Sequence, residues 1–188
     1  MRLFASLTFV IWSWCTSLAQ AETGQLQTAM SDGVHACQKW ILDPKSWAED
    51  NQSFAYKIGL GDKLIAIGGL PIGVLPTELM SQATNFWRLN GGNGNGIFVV
   101  ASNINPVCNV AGGGPSDLQP AAESIVSDFK QGKEWKEVDV KSEADMTSSN
   151  FVNKADNNAE MVISRATKAG GRTDRVQFLT TVFYKIRK

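Results

Sequence analysis

The sequence predicts an exported α+β domain: an antiparallel sheet of five to seven strands, two main helices packed on one face, and one disulfide. Three observations carry that expectation. Two segments, over residues 22–42 and 116–131, place apolar side chains at helical spacing. Pairs of β-patterned runs are split by glycine-rich turns. Two cysteines, Cys37 and Cys108, remain once an N-terminal leader is set aside, and an even count in an exported chain points to a bridge.

Residues 1–21 read as a cleaved signal peptide and residues 22–188 as a single domain. Arg2 supplies the positive start. Leu3 to Trp14 is an apolar run too short to span a bilayer, and Ser17-Leu18-Ala19 and Ala19-Gln20-Ala21 fit the small-x-small cleavage rule. Cys15 follows Trp14, a residue too bulky for a lipid-attachment site, so it leaves with the leader. Basic and acidic residues balance at 18 each; without Arg2 the balance is 17 against 18, or −1. The basic excess that nucleic-acid binding uses is missing. No second apolar segment reaches membrane-spanning length. The expected location is periplasmic or secreted. A Cys37–Cys108 bridge would close a loop of about 70 residues, for which the chain-entropy estimate is about 4 kcal/mol.

In chain order, Leu26, Met30, Val34, Cys37 and Ile41 line one face of a helix from Glu22 to Leu42. Asp43-Pro44 ends it. Phe54, Tyr56 and Ile58 alternate, which predicts a strand over residues 53–58, and residues 63–67 predict the returning strand. Residues 68–76 (GGLPIGVLP) are apolar but broken by Gly and Pro, the pattern of a packed loop. Thr77 is placed to cap a short helix to Thr84. Residues 86–89 and 97–101 form a hairpin around Gly91 to Gly96, a stretch of only Gly and Asn that tolerates positive φ. Residues 111–115 (AGGGP) read as a hinge-like loop. Ser116 or Asp117 caps a helix to Gln131 whose face is Leu118, Ala122, Ile125, Val126 and Phe129. A strand follows over residues 135–140. The polar run 141–150 reads as a loop. A second hairpin joins residues 160–165 and 175–186 across Gly170-Gly171, with strict alternation from Val176 to Ile186.

Chemistry is thinly marked. His35, the lone histidine, lies about 200° around the helix from Cys37, so the two do not form a nucleophile pair. One His and two Cys cannot complete a structural zinc set. The Gly/Asn loop feeds a strand rather than a helix and offers no lysine, unlike a phosphate cradle. Acidic residues from Glu134 to Asp145 lack the alternating ligand positions of a calcium loop. No catalytic residue, metal site or cofactor is expected. Trp40, Trp47, Trp87 and Trp135 remain after the leader, of which Trp47, among charged neighbours, is the one expected at the surface.

The expected function is therefore that of a protein-binding module: an inhibitor or immunity protein, or an envelope assembly accessory. The expected contacts are Arg88, Asn93 and Asn95 around the hairpin loop, with Trp47 as an anchor. The alternatives are a small cell-envelope hydrolase, which would need two suitably placed carboxylates, and a small-ligand sensor or carrier with a pocket between sheet and helix.

Overall fold

Apolar positions three and four apart drive the first helix, α1 (Cys15–Leu42). Leu26, Met30, Val34, Cys37 and Ile41 are all buried along it. The computed structural model describes residues 15–48 and 50–186, with side chains of α1 from Gly24 onward. Residues 1–14 of the expected leader lie outside the described residues, and residues 15–21 form the first turns of α1.

Pro44–Ala48 is a 3-10 turn, and Asn51–Lys57 is a helix, α2. The strand expected over residues 53–58 is thus corrected. Asp50 accepts from the backbone N–H groups of Gln52 and Ser53 and caps the helix. Phe54 then turns inward while Tyr56 is exposed, so the apparent alternation was one helical turn. The returning strand shrinks to β1 (Ile65–Ala66). The short helix is α3 (Thr77–Met80), preceded by Pro76 with no side-chain cap from Thr77.

The strands β2 (Asn85–Asn90), β3 (Gly96–Ala101), β4 (Val107–Gly113), β5 (Trp135–Glu143), β6 (Met146–Asn153), β7 (Ala159–Ala166) and β8 (Val176–Tyr184) complete one sheet. Its order is β1-β2-β3-β4-β8-β7-β6-β5, and every neighbouring pair is antiparallel. Eight strands replace the expected five to seven. Two strands, β4 and β6, have no expected counterpart and the one expected over residues 53–58 is lost; β6 arises within residues 141–153. There the polar run forms the end of β5 and the start of β6 around Ala144, whose φ is +51°. Polar side chains are accommodated because they pair across strands: Ser148 with Ser164 at 2.7 Å, and Ser142 with Thr147 at 3.1 Å. Residues 111–113 are likewise strand rather than hinge, because β4 is held from both sides by β3 and β8.

The helix α4 (Gln119–Gln131) begins after Leu118, with Asp117 accepting from the Gln119 N–H at 3.1 Å. α1 covers β2, β3, β4 and β8; α4 covers β5, β7 and β8 and packs on α1. Both main helices sit on the same face, over alternate residues such as Trp87, Val99, Val110, Met161 and Phe178. The expected bridge is present: Cys37 of α1 is joined to Cys108 of β4, with Cα atoms 5.1 Å apart and both residues buried. On the opposite face, residues 68–76 run as a strap that seats Leu75 against Val100 and Ala111. Among the described residues no helix is long and apolar enough to cross a membrane.

Candidate functional site

The β2–β3 hairpin tip is more ordered than a run of Gly and Asn suggests. The Asn95 N–H donates to the Gly92 carbonyl at 2.8 Å, closing a turn whose central residues are Asn93 (φ +45°) and Gly94 (φ +75°). Positive φ at both positions is the mark of the type I′ turn that Asn-Gly favours. The Gly92 N–H donates to Asn90 Oδ1.

Asn95 itself faces inward, 2% exposed. Its Nδ2 donates to the Gly92 carbonyl at 2.9 Å and to Ser116 Oγ at 3.0 Å, and its Oδ1 accepts from the Ser116 N–H at 3.2 Å. It ties the tip to the segment entering α4. Gln177 ties the same segment from β8, donating to the carbonyls of Gly114 and Ser116 and accepting from the Leu118 N–H. Asn93, by contrast, is exposed at the turn's apex. The two asparagines, alike in sequence, thus serve as apex and anchor.

Arg88 is exposed on β2, in register with Ile65 of β1 on one side and Phe98 of β3 on the other. No carboxylate pairs with it among the described residues. It borders a cleft of about 620 Å³ on the strap side of the sheet, together with Ile72, Gly94 and Phe98. Arg175 and Asp174 stand on the far wall. The Arg175 Nε donates to Asp174 at 3.1 Å, and that bond holds the Asp174 carboxyl below its ordinary range.

The structure therefore brings Arg88 and the hairpin tip to one cleft. Trp47 does not line it. Trp47 is half-buried against the core, donating its indole N–H to the Trp40 carbonyl at 2.7 Å with its ring 6.3 Å from that of Tyr184. The residue that sequence reasoning passed over is Ile72. It is fully exposed at the crest of the strap, between Pro71 and Gly73. Gly73 has φ +84° and the Val74 N–H donates to the Pro71 carbonyl, so residues 71–74 form a turn. The Pro-x-Gly spacing was the available signal that Ile72 would be lifted out of the apolar run.

Among the described residues no three His, Cys, Asp or Glu side chains gather closely enough to hold a metal ion. No family model, curated protein or solved structure matches the chain.

Proposed function

We propose that the protein is an exported binding module that recognises another protein through the rim of the strap-side cleft. The observation that carries this reading is the grouping of Arg88 and Ile72 on one opening beside a tied-down hairpin tip. Arginine is enriched at interface hot spots, and Ile72 adds exposed apolar surface on the same opening. A turn held by Asn95 presents Asn93 with little entropy left to lose on binding. The bridge between α1 and β4 and the export expected from the N-terminal run agree with an oxidising compartment.

The test uses the chain as bait in extracts of the cells that make it, beside Arg88→Glu and Ile72→Ser. The expected result is one stoichiometric partner whose capture falls at least tenfold with either change. Equal capture by all three baits would refute this reading. One observation favours the small-ligand alternative as well: a separate cleft on the helix side, between α1 and α4.

A further inference from the structure

The helix-side cleft has a volume of about 310 Å³ and lies between α1 and the end of α4, where the chain turns into β5. Past His35, Gln38 and Glu134 it continues into a second cleft of about 580 Å³. Gln38 borders both and is 6% exposed. The one hydrogen bond of its amide is from Nε2 to the Met161 sulfur at 3.8 Å, and its carbonyl has no partner among the described residues. A thioether is a weak acceptor, and buried amides are almost always better satisfied. Trp135 lines the same cleft, while its indole N–H, which has no acceptor among the described residues, is sealed from the opening. Phe129 forms an aromatic wall, its ring 6.2 Å from the His35 imidazole. Asp128 and Glu134 are exposed at the opening.

We infer that this cleft binds a neutral saccharide unit. The polar groups select the class. An apolar ligand would leave the Gln38 amide unanswered in a drier site. Across the two clefts Asp128, Glu134 and Asp43 face Lys133, Lys39 and Lys57, so neither an anion nor a cation meets a net opposite charge. The hydroxyls of a neutral pyranose both donate and accept, so they answer the carboxylates and the amide together. Its C–H face lies against the Phe129 ring. The smaller cleft holds one ring, and the larger one, which shares Gln38, holds the next. This site is separate from the strap-side rim and stands whether or not a protein binds there.

The test is a titration of the ¹⁵N-labelled chain with N-acetylglucosamine and with glucose. The signals followed by NMR are the Gln38 side-chain amide and the Trp135 indole, the latter assigned by its loss in Trp135→Phe. Glucosamine and glucuronate serve as charged counterparts. The expected result is a saturable shift of both signals with a neutral sugar, none with either charged one, and roughly tenfold weaker binding in Gln38→Met. No shift with either neutral sugar, equal shifts with all four, or unchanged affinity in Gln38→Met would overturn the inference. Should Gln38→Met fail to fold, Asp128→Asn, a change at an exposed position, decides by the same readout: weaker binding is expected and unchanged binding refutes.

Discussion

Replacing Asn95 by alanine separates an anchoring role from a contact role. The side chain makes three hydrogen bonds at 2.9, 3.0 and 3.2 Å and is 2% exposed. At roughly 1 kcal/mol for each bond, with partners left unanswered in a closed site, the loss is about 3 kcal/mol. For a chain of this size that lowers the thermal midpoint by roughly 10 °C. Asn93, at φ +45° and exposed, behaves oppositely. Asn93→Gly leaves stability within about 0.5 kcal/mol of the parent, because glycine adopts that backbone freely. Urea unfolding of both variants measures the contrast, and amide exchange at Ser116 reports whether the tip has detached. If Asn95→Ala unfolds within about 1 kcal/mol of the parent, the tip is not held by this side chain, and the case for a pre-organised rim fails with it.

Three further outcomes are expected. Replacing Cys37 and Cys108 together by alanine removes a bridge spanning 71 residues and lowers stability by about 4 kcal/mol in urea; a change below about 1 kcal/mol would contradict the stapling of α1 to β4. At Gly33, a Cβ would sit 3.0 Å from a Val110 methyl group, so Gly33→Leu costs about 3 kcal/mol by overpacking the contact between α1 and the sheet, and a melting curve like the parent's would refute that close approach. The Ser53 hydroxyl and the Ser53 and Gln52 N–H groups hold the Asp50 carboxyl below its ordinary value of 3.8, so its support of α2 is complete above that pH and is lost as pH falls through the lowered value. Amide exchange at Gln52 and Ser53 should therefore speed up in acid beyond the intrinsic effect, and Asp50→Ala should abolish that added pH dependence; pH-independent protection would count against the cap.

Elements held by their own pattern were legible in the sequence. α1 and α4 show their buried faces in steps of three and four, and β8 shows its alternation. The bridge followed from counting cysteines. What failed was local pattern without partner information. Residues 53–58 alternate for less than two turns, too short to separate a period of 2 from one of 3.6, and the Asp50 cap was the better signal. Residues 141–150 are polar and still strand because Ser142 of β5 meets Thr147 of β6 and Ser148 of β6 meets Ser164 of β7. Those partners are set by the sheet order, which a polar run does not reveal.

The same reasoning divides the candidate site. Arg88 and the Asn-Gly apex could be picked out locally, since strand alternation and turn chemistry fix where they stand. Asn95 could not, because two of its three side-chain bonds go to Ser116, 21 residues on. Trp47 looked exposed among charged neighbours, but its N–H reaches back to the end of α1.

The measurement that tests the central claim most directly is site-specific photo-crosslinking in the cells that make the protein. A benzophenone side chain is placed at position 72, at position 93 and, as a control on exposed α2, at position 56. The account predicts that positions 72 and 93 crosslink to one and the same protein while position 56 does not. No crosslink at positions 72 and 93, or the same adduct from position 56, would contradict it.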